Sequence, residues 1–118
     1  MKISLLQIDI AWRDARENIW RAESFMASQP GADLYVLPEM WCTGFDVSPD
    51  EHTLEQSKMG YEWMLQKAEE LNASIAGSLA WQTDESMRSG RFVNTLFVVG
   101  PDGSVCPYAQ RHLFGSGG

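Results

Sequence analysis

Long apolar runs, clustered positive charge and a cysteine framework are all missing from this 118-residue chain. Each absence removes a class of function. No stretch approaches the ~20 apolar residues that span a bilayer. Nine Lys and Arg residues stand against sixteen Asp and Glu, a net charge of −7. The basic residues are scattered, so neither a phosphate backbone nor an anionic lipid surface is an expected partner. The opening Met1-Lys2-Ile3-Ser4-Leu5-Leu6-Gln7-Ile8-Asp9 turns polar and acidic too soon for a signal peptide. Cys42 and Cys106 are too few for a disulfide scaffold and wrongly spaced for zinc. There is no metal-ligand spacing, no Gly-rich phosphate loop and no Ser-His-Asp order.

What is present is enough for a core. The chain is 44% hydrophobic and 11% aromatic, far from the composition of a disordered segment. The expectation from these counts is one acidic, cytoplasmic α/β chain.

Apolar periodicity predicts the order β-α-β-α-β-β-β. Lys2–Ile10 alternates with one slip at Leu6, as a largely buried strand does. Asp14 suits an N-cap, and Glu17 three residues on completes a capping-box pattern. Ala15, Ile19, Ala22 and Met26 then recur at helical spacing until Gln29-Pro30-Gly31. Leu34-Tyr35-Val36-Leu37 reads as a strand covered on both faces, followed by a loop from Pro38 to Phe45. Asp46–Gln56 reads as polar loop, and Tyr61, Met64, Leu65, Ala68 and Leu71 as a second helix ending near Asn72. Ser74–Trp81 is a strand whose Ala76-Gly77-Ser78 implies a close neighbour. Thr83–Gly90 is a polar loop, and Phe92–Val99 and Val105–Tyr108 form a hairpin around Gly100-Pro101-Asp102-Gly103. Pro107 restricts the last strand to an edge. Gly115-Ser116-Gly117-Gly118 has linker composition, which sets residues 1–114 apart from a tail at 115–118.

The loop after the second strand carries the chemistry. Leu37-Pro38-Glu39-Met40-Trp41-Cys42-Thr43-Gly44-Phe45 resembles the first signature of the nitrilase, or carbon–nitrogen hydrolase, superfamily. In order and spacing, the strand ending at Gln7, Ile75-Ala76-Gly77-Ser78, Phe92-Val93-Asn94-Thr95 with the Pro101-Asp102-Gly103 turn, and Tyr108 through Phe114 also agree. Together they are most similar to the omega-amidase branch. The resemblance implies the first half of a four-layer α/β/β/α sandwich without cofactor or metal. It also implies a homo-oligomer, or association with the remaining half of the domain.

The implied activity is hydrolysis of the amide of a small dicarboxylic monoamide such as 2-oxoglutaramate, releasing ammonia. Such chemistry uses a Glu base, a Lys near the developing oxyanion and a Cys nucleophile. A thiol of pKa about 8.5 needs a base to take its proton, and the amide oxygen needs a donor or cation as it becomes negative. Glu39 falls on the base position, and Trp41 and Phe45 are expected to line the substrate pocket. Gln110 stands at the Lys position and Ala109 at the preceding Asp. Gln donates a hydrogen bond but carries no charge. Arg111 follows, but strand alternation assigns it to the opposite face. Cys42 reads as a small half-buried loop residue rather than the nucleophile, and Cys106 as packing. His52 reads as a loop residue and His112 as a structural hydrogen-bonder. The chain is thus expected to be inactive alone; the alternative reading is a non-catalytic module of the same fold used for assembly.

Overall fold

The structure, a computed structural model, describes residues 1–46, 48–82 and 91–112, the last three through their backbone only. The order is β1 (Ile3–Leu5), α1 (Ala15–Ser28), β2 (Leu34–Val36), α2 (Glu51–Leu71), β3 (Ser74–Trp81), β4 (Val93–Val99) and β5 (Val105–His112). The predicted succession of elements is therefore observed, with different boundaries. The first strand is far shorter than Lys2–Ile10. The second helix begins ten residues before Tyr61. Its start was hidden because its first turns are polar, yet Asp50 and Thr53 form a complete reciprocal capping box there. At α1 only half of the expected box forms. The Asp14 side chain accepts from the Glu17 N–H, while the Glu17 carboxylate pairs with Arg21 at 3.4 Å. Asn72 closes α2 in the left-handed conformation, with φ at 50°. The Thr83–Gly90 loop and the Gly-Ser tail lie outside the described residues.

All five strands form one sheet in sequence order. β1, β2 and β3 are parallel, joined by α1 and α2 as crossovers, while β4 and β5 return antiparallel. The last hairpin turns where expected: the Gly103 N–H donates to the Gly100 carbonyl at 3.1 Å, and Gly103 has a φ of +87°. Pro107 lies on β5, an edge strand, opposite Phe97. Since β4 starts where β3 ends, the carboxyl ends of β2, β3 and β5 share one end of the sheet.

One sheet face packs against the helices. Tyr35, Leu37, Ile75, Leu79, Phe97 and Val99 meet Ala22, Met26, Trp63, Met64 and Ala68 in a single core. Tyr61, Trp81 and Phe97 add mutual contacts with ring centroids 5.0–5.3 Å apart. Lys67 ties the helices, its Nζ 3.0 Å from Glu23 and 3.4 Å from Glu70. The opposite face is only partly covered. Leu34 and Val36 are half-buried, so the strand expected to be enclosed on both sides is enclosed on one. Ile3 and Leu5 are 53% and 65% exposed, with Tyr108 also exposed.

The small residues of β3 have the neighbour they implied. A Cβ built on Gly77 falls 2.8 Å from Trp41 Nε1 and 2.9 Å from Leu37 Cδ1. Gly77→Ala should therefore lower stability by about 1–3 kcal/mol, because a rigid indole in a packed core has nowhere to go. Urea denaturation of the two proteins measures this; an unchanged midpoint would contradict the close packing.

Candidate active site

The loop leaving β2 is held at almost every residue. The Leu37 N–H continues the ladder to the Ala76 carbonyl at 2.8 Å. Glu39 follows on a turn and is exposed. Met40 takes a positive φ of 54°, uncommon for a side chain of its size. The cost is offset locally: its N–H donates to Ser78 Oγ at 2.8 Å, and its side chain is buried with Ala80, Phe92 and Leu54. The Gly44 N–H then returns to the Met40 carbonyl at 2.8 Å, and Gly44 turns the chain with φ at 75°.

A second set of contacts fastens the far side of this loop. Asn18 on α1 is buried, and its Nδ2 donates to the Cys42 and Ala11 carbonyls at 2.7 and 2.8 Å. Arg13 donates its backbone N–H to the Thr43 carbonyl at 2.8 Å. Its guanidinium pairs with Asp46 at 3.2 Å and Asp50 at 2.7 Å. Asp46 is buried and also accepts from Thr53 Oγ1 at 2.8 Å. The Thr53 N–H, with Arg13 adding to it, holds the Asp50 carboxyl below the usual carboxylate range. Gln56 joins α2 to the start of α1, accepting from the Ala15 N–H at 2.6 Å and donating to the Arg13 carbonyl at 2.9 Å. His52, expected in a loop, sits on α2 against Gln56. The anchoring roles of Asn18, Ser78 and Asp46 escaped the sequence reading. A polar residue inside the buried stripe of α1 was the available signal for Asn18.

Of the expected site residues, Glu39 is exposed on the turn that follows β2, at the carboxyl end of the sheet. Phe45 is 46% exposed on the same loop. Trp41 requires a correction: it is 0% exposed and lies in the helix-side core, its ring centroid 5.1 Å from that of Trp63. Met40 and Trp41 leave the turn in different directions, and the hollow over Gly77 takes the indole. Of the two aromatic residues expected at the pocket, Phe45 is accessible on this loop and Trp41 is not.

Position 110 lies on β5 at the same end of the sheet as Glu39. Met40 already steps over β3, and two interstrand spacings from there to β5 amount to roughly 10 Å. A β-bulge falls at this point: Thr95 faces Ala109 while Asn94 faces Arg111, leaving Gln110 as the extra residue.

Cys42 is buried, its Sγ donating to the Gln56 carbonyl at 3.2 Å and lying against Gly60. Burial pushes its pKa from 9.0 up to about 12, a backbone contact with Gly60 offsetting only part of this. The thiol is thus a core group. Cys106, expected to pack, is exposed on β5. Iodoacetamide at pH 8 should label Cys106 at the rate of a free thiol and Cys42 far more slowly. Peptide mapping reads the ratio; fast Cys42 labelling abolished by Glu39→Gln would make Cys42 a nucleophile after all. Since the folded pKa of Cys42 lies above its unfolded value, its contribution to stability is whole below about pH 9 and declines toward about pH 12. Cys42→Ala should flatten that decline in a pH series of thermal melts.

Among the described residues, no helix is long and apolar enough to cross a membrane, and no group of three His, Cys, Asp or Glu could hold a metal. Residues 2–117 match the carbon-nitrogen hydrolase family. The chain is 38% identical over 114 residues to omega-amidase YafV of Escherichia coli K12, covering 97% of this chain and 42% of that protein. It is 34% identical over 116 residues to 2-oxoglutaramate amidase of Bacillus subtilis, covering 95% and 43%. A CN-hydrolase superfamily protein from Xanthomonas campestris, whose crystal structure holds an arsenic adduct in its active site, superposes with a TM-score of 0.81. That match is at 29% identity and covers 97% of this chain and 42% of that one. The chain thus spans under half the length of these relatives, and its helix layer on a mixed sheet is the first α/β part of their fold. With its Glu39 loop built on that sheet and the family match running from residue 2 to residue 117, the chain belongs to the carbon-nitrogen hydrolase family.

Proposed function

We propose that Glu39 is the general base of an omega-amidase-type hydrolase acting on the amide of a small dicarboxylic monoamide such as 2-oxoglutaramate. The observation that carries this is the Glu39 turn: an exposed carboxylate on a loop fixed from Ser78, Asn18 and Arg13. The names of the Escherichia coli and Bacillus subtilis relatives support the substrate class. In the reaction, Glu39 takes the proton of a cysteine thiol as sulfur attacks the amide carbon. That proton passes to the departing nitrogen and ammonia leaves. Water then attacks the thioester, giving its proton to Glu39, and the acid and the thiol are regenerated.

Neither cysteine of this chain serves as that nucleophile: Cys42 is buried against Gly60, and Cys106 lies on β5 away from the Glu39 turn. The thiol comes instead from a segment that packs over the open sheet face, where Ile3, Leu5 and Tyr108 await cover. The same face offers the surface for self-association of the chain. The two free thiols suit a reducing compartment, and we place the protein in the cytoplasm. A non-catalytic assembly module is the second reading, favoured by the uncharged Gln110 and by that open apolar face.

One assay separates the two. The chain alone should release no ammonia from succinamate. Mixed with the remaining part of the Escherichia coli relative, it should turn over slowly, and Gln110→Lys should raise the rate by ~10²–10³, the usual worth of one oxyanion group. Glu39→Gln should abolish turnover in both backgrounds. A folded complex with Gln110→Lys that releases no ammonia would favour the assembly module. Equal rates for the unaltered complex and for Gln110→Lys would show that position 110 is not the cation position.

A further inference from the structure

A buried hydroxyl among apolar and small neighbours needs a reason to be there. Ser78 is such a residue: it is 3% exposed, and Ala76, Gly77, Leu79 and Ala80 flank it on β3. Its Oγ accepts the Met40 N–H at 2.8 Å, from a loop 38 positions earlier in the chain.

Successive residues of a strand face opposite sides of the sheet. Gly77 and Ser78 therefore meet the loop after β2 on different faces. Gly77 admits the Trp41 indole on the helix side, and Ser78 takes the Met40 N–H on the other. Two consecutive loop residues are thus pinned to two consecutive strand residues, and the chain straddles β3 directly after Glu39. The indole half of this clamp is packing. The hydroxyl half has direction. A peptide is planar and this one is trans, so an N–H held by Ser78 turns the Glu39 carbonyl to the opposite side. The backbone from which the Glu39 carboxylate leaves is set by that plane. Met40 needs the hold, because its φ of 54° is one that a bulky side chain gives up readily.

We propose that Ser78 is a positioning residue for the base: its hydroxyl locks the peptide between Glu39 and Met40 and so aims the Glu39 carboxylate. The consequence for turnover rests on the function proposed above, but the lock itself does not.

Nitrogen-15 relaxation on this chain, read by NMR, tests the lock without any assay of activity. The N–H order parameters of Glu39 and Met40 should be about 0.85 in the unaltered protein and fall below about 0.6 in Ser78→Ala. Those of Leu79 and Val99 should hold. Ser78→Cys, close in size but a weak acceptor, should loosen the same two residues, and it serves also if the alanine variant does not fold. Ser78→Thr, which keeps the hydroxyl, should leave the turn rigid. A rigid turn in the alanine and cysteine variants would overturn the proposal. So would loosening spread evenly along β3, which marks a merely structural residue. In the reconstituted enzyme carrying Gln110→Lys, Ser78→Ala should lower kcat by ~10²-fold, the usual cost of a small misplacement, and leave KM unchanged. Ser78→Thr should restore most of that loss. An unchanged kcat in a variant whose turn has loosened would overturn the aiming role. A turn that loosens as expected in a complex without turnover in any background would count against the amidase reading alone.

Discussion

Trp41 is seated between a strand and a helix that each leave out a side chain to admit it. Gly77 of β3 and Gly60 of α2 would both place a Cβ within 3.1 Å of the indole. This three-way contact sets how closely α2 approaches the sheet, and it pulls the chain inward two residues after Glu39. The turn at Glu39 and Met40 carries the chain from the end of β2 to the buried indole. The strained Met40 conformation follows from that anchoring, and Ser78 and the Ala80–Phe92 hollow offset its cost. The exposed carboxylate is thus held by a buried neighbour, so the rigidity of the site is borrowed from the core.

Polar contacts do the rest of the fastening, and they are concentrated on one side. Arg13, Asn18, Asp46, Thr53 and Gln56 connect the start of α1, the loop after β2 and the first turns of α2. Most are buried or half-buried and bonded to backbone groups, where a hydrogen bond fixes geometry more than it adds stability. Among the described residues, Glu39 takes no part in this network.

The order of elements was readable because each had a local physical cause. Asp14 capped a helix, Asn72 ended one, Gly100-Pro101-Asp102-Gly103 turned a hairpin, and Pro107 marked an edge. The failures have causes too. The first turns of α2 are polar on nearly every face, so only the capping pair Asp50 and Thr53 could have announced them. Leu34-Tyr35-Val36-Leu37 is continuously apolar because the face it turns from the helices is apolar as well, whether or not something covers it here. The place of Glu39 was legible from its motif, whereas the direction of Trp41 was not: that depends on Gly60, nineteen positions away, and Gly77, thirty-six away. The bulge at Gln110 was equally invisible, since nothing in Tyr108-Ala109-Gln110-Arg111 signals a register jump.

The two margins of the sheet limit how copies of this molecule can meet. β1 is three residues long, and β5 carries a proline opposite Phe97, so at that point it has no N–H to offer an incoming strand. Short or proline-bearing margins discourage growth by strand addition. Neither margin of this sheet therefore favours the continuous ladders of a fibril. The same sheet that leaves Ile3, Leu5 and Tyr108 exposed on its face thus carries edges poorly suited to endless polymerisation.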